Sequence, residues 1–432
     1  MEYGVVFGGG GSRGSYEIGV WKALLEMGIK IKAVAGTSVG ALNGAMLAQG
    51  DFEIAQKVWS SLDIKSIIKL ENPNLLSENR IGLREFVTHL KQLWKDGGLD
   101  ITPLNDMLNK YIDEERVRKS AIDFGLVTYS ISELKPVAMY KEDIPKGQLV
   151  DYLIASASLP IFKHHVIENK RLIDGGVYDN IPVSLIVEKG IKNVIVADCS
   201  GYGRTRKIYF DGVNTTCIKN SEHLGGILQF DTDIIKHNIE VGYLDTLKAF
   251  KKLKGKKYFI QYNKKTSTKL AFPLTQTEIK RLISTMDLGK QQVVTDKLSN
   301  YRILRTIKSY SGNDFSESTA VLAALEITAE VFGIDLLKNY KPDELALLIL
   351  DEYYKIRTID FVANPLETIK TLIPDKIADL KNVDIKYLAG IGAGDDKSAI
   401  ILNYRKFLAA TLPKICIANL FVSLLLWRVG KD

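Results

Sequence analysis

The stretch that decides the fold is "IKAVAGTSVGALNGAMLAQ", residues 31–49. Its first part is a short apolar run that reads as a buried strand, and its last part is a helix of small residues stopped by Gly50. Between them Ser38 stands in "GTSVG" (36–40), with Gly36 two positions before and Gly40 two after. A serine on a strand-to-helix turn, with glycine relieving the crowding on both sides, is the sequence of a nucleophile elbow. Alone the pentapeptide is weak: about 0.2 copies are expected by chance in a chain this long. A serine that merely caps the following helix would look the same. The flanking sequence has to decide.

Toward the N-terminus, "YGVVF" (3–7) reads as a strand, "GGGGSRG" (8–14) as a loop, and residues 12–27 as a helix that Gly28 ends. Gly9, Gly11 and Gly14 satisfy the spacing of a dinucleotide-binding turn. That fingerprint also needs a carboxylate at the end of the second strand, and here the strand ends in "AVAGTS". A phosphate-binding loop of the Walker type fails too, because Ser15 follows Gly14 where a lysine is required. What remains is a loop that aims backbone N–H groups at an oxyanion, aided by the positive end of the next helix.

Toward the C-terminus, "FGLVTY" (124–129) and "PVAMY" (136–140) read as a hairpin, and "QLVDYLIASAS" (148–158) as a helix that Pro160 ends. "KRLIDGG" (170–176) is a strand entering a turn, Pro182 opens a helix, and "KNVIVAD" (192–198) is a further strand. Strands alternating with helices predict an α/β fold with a largely parallel sheet. Residues 64–120 are helical and polar, in the manner of a lid or cap insertion. A long helix is predicted over 232–253 and a strand over "KKYFIQYN" (256–263). Beyond residue 272 strand signals thin out, which predicts two domains: 1–272, α/β, and 273–432, all-helical. The apolar run "ICIANLFVSLLLW" (415–427) is too short to span a bilayer and reads as a buried terminal helix.

If Ser38 is a nucleophile, something must accept its proton. The chain has five histidines, His89, His164, His165, His223 and His237. None falls on a loop after a late strand, where an α/β-hydrolase puts its histidine. Asp174 is the other base. It ends an apolar strand before Gly175 and Gly176, so its carboxylate lies at an open turn, although an ordinary aspartate pKa of about 3.9 makes it a weak base. An Asp-Gly turn closing a hairpin is the alternative reading.

Together "GGGSRG" (9–14), "GTSVG" (36–40) and "DGG" (174–176) resemble the patatin-like phospholipase family in order and spacing. "SASLPIF" (156–162), "YDNIP" (178–182) and "VGYLDTLKAF" (241–250) support the resemblance, which covers residues 1–270. It implies a three-layer α/β/α domain and a Ser–Asp dyad, with Ser38 as nucleophile and Asp174 as base. It further implies an oxyanion hole of the Gly9, Gly10 and Gly11 amides, with Arg13 in the motif's basic position. No histidine, metal or cofactor is required. The implied substrate is a phospholipid or other lipid ester; chain length and the lack of a visible signal peptide suggest a bacterial cytoplasmic setting, with peripheral membrane contact. Two other readings stay open: a histidine-dependent esterase using His223 or His237, and a nucleotide-binding module built on the glycine loop.

Composition agrees with a globular protein in a reducing compartment. The 432 residues are 46% hydrophobic and 25% charged, and the three cysteines Cys199, Cys217 and Cys416 show no paired spacing. No secretory signal is visible at the N-terminus. A net charge of +7 favours anionic surfaces without approaching the extreme of a nucleic-acid binder, and a nucleic-acid partner is not expected. The lysines of 249–270 are one surface that would attract anionic head groups.

Overall fold

In the computed structural model, residues 1–69, 98–163, 165–263, 270–271, 273–285, 294–312, 315–357, 385–394 and 398–430 are described. The chain divides into two compact units, Met1–Phe250 and Lys251–Asp432.

The first unit runs β1 (Glu2–Phe7), α1 (Ser15–Glu26), β2 (Lys30–Thr37), α2 (Val39–Gln49), α3 (Phe52–Ser61), α4 (Thr102–Tyr111) and α5 (Glu114–Lys119). It continues with β3 (Asp123–Ser130), β4 (Lys135–Tyr140), α6 (Leu149–Ser156), β5 (His165–Ile167), β6 (Lys170–Asp174), α7 (Val183–Glu188), β7 (Asn193–Asp198), β8 (Asn214–Lys219) and α8 (Thr232–Ala249). The strands form one sheet in the order β5-β6-β3-β2-β1-β7-β8, with β4 beside β3. From β3 to β8 the pairing is parallel, while β4, β5 and β6 pair antiparallel.

This mixed sheet follows from the strand sequences. The central strands β1 and β2 are buried along their C-terminal halves, with Val5, Val6, Phe7 and Ala35 wholly covered. Strands buried on both faces need helices on both sides, which parallel connections supply. The edge-side β4 has only exposed and half-covered residues and pairs as the hairpin that residues 124–140 predict. On the β6 side, Thr128–Ser130 of β3 pair with Leu172–Asp174, just beyond Val127, the last β3 residue paired to β2. That handover carries Asp174 to the end of the sheet where β2 delivers Ser38.

The second unit contains β9 (Phe259–Ile260), α9 (Gln276–Thr285), α10 (Val294–Ser311), α11 (Glu317–Val331), β10 (Asn339–Tyr340), α12 (Pro342–Arg357), α13 (Ile385–Gly390), α14 (Ala399–Thr411) and α15 (Pro413–Val429). Apart from the two-residue pair β9–β10 it is helical among the described residues. The division falls after Phe250 rather than near residue 272, because Phe259–Ile260 pairs in parallel with Asn339–Tyr340 and Tyr258 and Ile260 join the helical core. The expected strand over 256–263 is thereby cut to two residues.

The apolar run 415–427 lies in α15, which packs against all the other described helices of its unit. Its polar residues explain the placement. Asn419 donates to the carbonyls of Ala389 and Ile391 and accepts from Arg405, and Ser423 accepts from the Gly394 amide. No helix among the described residues is long and apolar enough to cross a membrane.

Candidate active site

Ser38 sits at the junction of β2 and α2 with φ 55° and ψ −131°, a backbone conformation that strains a non-glycine residue by about 1–3 kcal/mol. The glycines around it allow the turn. A Cβ at Gly36 would lie 2.2 Å from the Gly40 carbonyl oxygen, and one at Gly40 would lie 2.3 Å from that of Phe7. Any side chain at either position would push the elbow off the sheet. The Ser38 amide donates to the Ser156 hydroxyl at 3.0 Å, and that hydroxyl donates to the Val127 carbonyl at 2.7 Å. Thr37 is held by its hydroxyl on the Asp179 carbonyl at 2.8 Å. The sequence marks "SASLPIF" as a supporting stretch, but only the fold shows that Ser156 fixes the elbow.

Asp174 ends β6, and its amide donates to the Ser158 carbonyl at 2.8 Å. Its carboxylate accepts the Gly176 amide at 2.7 Å and lines the same cavity as Ser38. Gly175 lies over Val127, where a Cβ would come within 2.2 Å of the carbonyl oxygen. Burial pushes the Asp174 pKa up to about 6, against the lowering effect of the Ser38 hydroxyl and the Gly176 amide. The site therefore holds a buried hydroxyl–carboxylate pair, with the carboxylate a stronger base than a solvated aspartate.

The glycine loop passes beside this pair: a Cβ at Gly9 would sit 3.0 Å from the Ser38 Cβ. The Gly9 amide donates to the Asn180 carbonyl at 3.2 Å. It is thus already engaged, contrary to its expected place in the oxyanion hole. Among the described residues the amides of Gly10 and Gly11 have no acceptor. Gly14 packs on Val39. Arg13 points away from the pair, donating to the carbonyls of Gly225 (2.8 Å) and Ser200 and stacking over Tyr202. Its role is to tie the glycine loop to two neighbouring loops.

A cavity of about 130 Å³ opens on the pair. Its polar end is Gly9–Gly11, Ser38, Asp174 and Asn180, and the rest is apolar, with Met46, Trp59, Leu104, Leu108 and Phe162 among the walls. Leu104 and Leu108 belong to α4, so part of the expected lid segment 64–120 lines the cavity; residues 70–97 lie outside the described residues. Asn180, 3% exposed, donates to the Gly9 carbonyl at 3.1 Å, while its Oδ1 has no partner in this polar end. Behind the wall, Asn43 of α2 joins Glu17 of α1 to Trp59 of α3 through hydrogen bonds of 2.8 Å each.

Among the described residues, no histidine lines the cavity. His223 is exposed and accepts the Gly225 amide, His165 lies beside Asp151, and His237 is on α8. His89 and His164 lie outside the described residues.

The family model of the patatin-like phospholipases matches residues 5–187, which hold both members of the pair. The chain carries a patatin-like phospholipase domain. Lysophospholipase NTE1 of Kluyveromyces lactis is 28% identical over 49% of this chain, and patatin-like phospholipase domain-containing protein 7 of Rattus norvegicus is 25% identical over 46%. The matched segment is only 14% of the length of either relative. VipD from Legionella pneumophila aligns over 99% of this chain and 91% of its own, at 14% identity and a TM-score of 0.38. The type III effector ExoU aligns over 90% and 88%, at 11% identity and a TM-score of 0.29. Neither score is high enough to carry an argument, so the family assignment rests on the domain match.

Proposed function

We propose that the patatin-like domain is a serine lipid acyl hydrolase of the phospholipase A or lysophospholipase type. The observation that carries the reading is the strained Ser38 sharing the polar end of an apolar cavity with a buried carboxylate of raised pKa. Such a cavity suits an acyl chain, with its ester at the polar end. The family match and the lysophospholipase among the relatives support the same class.

In the proposed reaction the Ser38 Oγ attacks the ester carbonyl carbon as its proton passes to Asp174. The Gly10 and Gly11 amides stabilise the oxyanion, with the adjacent helix end adding positive potential. Collapse of the tetrahedral intermediate breaks the ester C–O bond, and Asp174 returns the proton to the leaving alkoxide. Water then gives its proton to Asp174, attacks the acyl-enzyme, and releases the fatty acid as Ser38 is reprotonated. A base of pKa about 6 is ionised at neutral pH and a better acceptor than an ordinary aspartate.

The nucleotide reading is disfavoured by the site's chemistry: the cavity walls are apolar, and Arg13 is committed to backbone carbonyls. The histidine reading lacks a described histidine at the cavity. The test is fatty-acid release from mixed phospholipid vesicles, with a short-chain chromogenic ester in parallel and chelator present. Loss of both activities in Ser38→Ala is expected; hydrolysis that survives this change defeats the mechanism.

A further inference from the structure

Beside Asp174 the rim of the cavity is built by loop 199–210, "CSGYGRTRKIYF", which contains three cations and no acidic residue. Its backbone is fastened to the Asp174 turn by three hydrogen bonds. The Arg204 amide donates to the Gly176 carbonyl (2.8 Å), the Asn180 amide to the Arg204 carbonyl (2.7 Å), and the Arg206 amide to the Asp179 carboxylate (3.3 Å).

With the backbone held, the side chains face outward. Arg204, Arg206 and Lys207 are exposed, and so are Tyr202 and Tyr209, at 71% and 65%. Their arrangement is basic and aromatic at once: Arg206 stacks over Tyr178 at 4.4 Å and Lys207 over Phe210 at 4.8 Å. Val177, on the Asp174 turn itself, is 44% exposed. Tyr202 also lines the cavity, so this surface runs continuously into the site.

We propose that loop 199–210 docks the domain on an anionic phospholipid bilayer. Its cations match lipid phosphates and carboxylates, and amphipathic tyrosines favour the head-group level of a membrane. Docking there turns the cavity mouth toward the bilayer and lets an acyl chain reach Ser38 with little exposure to water. The inference rests on the hydrolase reading only for what the docked domain does, since binding itself needs no turnover. It also moves the basic membrane contact from the lysines of 249–270 to a surface joined to the site.

The experiment uses the full chain carrying Ser38→Ala, sedimented with phosphatidylcholine vesicles with and without phosphatidylserine. Each basic residue at an anionic surface contributes about fivefold, so combined Arg204→Gln, Arg206→Gln and Lys207→Gln changes should weaken partition roughly a hundredfold. Binding should need phosphatidylserine and fall as salt rises. Lys207→Gln alone should give about a fivefold loss, which keeps the claim testable if the triple variant misfolds. In the Ser38-containing enzyme that single change should leave short-chain ester hydrolysis unaltered. Equal binding to both vesicles, or binding indifferent to these substitutions, overturns the proposal. So does binding to a single-stranded RNA oligonucleotide, measured in parallel, that falls with these substitutions while vesicle binding stays intact, which would assign the loop to a nucleic acid. If Ser38→Ala binds as proposed but the wild type hydrolyses no ester, the hydrolase reading fails and the docking surface stands.

Discussion

Asp174 in the first unit and Glu278 in the second are both buried carboxylates, and their pKa values move in opposite directions. In the first, burial raises the pKa of Glu17, Asp174, Asp179 and Asp245. In the second, Glu278 and Glu330 are lowered to about 2. The Arg428 guanidinium holds Glu278 down at 2.8 Å; for Glu330, Lys257, Tyr310 and Lys414 overcome the upward push of burial. Burial alone therefore does not set the direction: a directly paired cation lowers Glu278 and Glu330, whereas burial outweighs Arg206 at Asp179 and Lys248 at Asp245. Glu278 and Glu330 act as ties between segments, whereas Asp174 accepts the Gly176 amide, has no cation paired with it among the described residues, and retains the basicity that proton transfer requires.

The largest effect that sharpens this contrast is at Asp174. Asp174→Asn keeps the shape of the side chain and removes its basicity, so kcat/KM should fall about 10²–10⁴-fold. In the wild type, kcat/KM should rise tenfold per pH unit below about 6 and level off above it, as the free carboxyl ionises. A profile that breaks near pH 4 would mean that burial does not tune this base. The contrast with Glu278 would then collapse at its most important point.

Next in size is the Glu278–Arg428 pair, whose side chains are only 6% and 8% exposed. A folded pKa near 2 against 4.5 unfolded corresponds to about 3 kcal/mol. The sign follows from proton uptake. Above pH 4.5 the contribution is full, and it fades as pH falls toward 2, where the folded carboxylate finally takes its proton. In the full chain, Glu278→Gln should reduce hydrogen-exchange protection in α15 by an equivalent of about 3 kcal/mol at neutral pH. The wild type should lose that advantage between pH 4.5 and 2. Unchanged protection would demote the pair to a surface-like contact.

Legibility follows the range of the interactions involved. The elbow at Ser38 is readable because strand, glycines and helix are neighbours in the chain. The helical second unit is readable from periodicity, and the hairpin 124–140 from two short β-rich runs close together in the chain. The engagement of Gly9 is not readable, because its acceptor is the carbonyl of Asn180, 171 positions away along the chain. Ser156 is hidden for the same reason: its link to the Ser38 amide exists only after α6 is laid on the sheet. The division between the units shifts from 272 to 250 because two residues pair with a segment 80 positions on. Local chemistry is written in the sequence, and long-range partners are not.

The last prediction probes the inverse of the Glu278 case. Glu17 is fully covered in α1, accepts from Asn43, and leaves Oε1 without a partner. Burial raises its pKa well above 4.5 despite the Asn43 hydrogen bond, so folding takes up a proton there. Between 4.5 and the raised pKa the native state binds more protons than the unfolded one, and stability must fall as pH rises. Glu17→Gln keeps the acceptor toward Asn43 and removes the titration. Thermal unfolding of the full chain at pH 4.5 should differ little between wild type and variant. By pH 8 the variant should have gained stability relative to the wild type. A difference that stays constant with pH would mean that Glu17 is ionised in place. The first unit would then contain a buried charge compensated by dipoles alone, and the rule that separates Asp174 from Glu278 would need the peptide groups of the glycine loop as its missing partner.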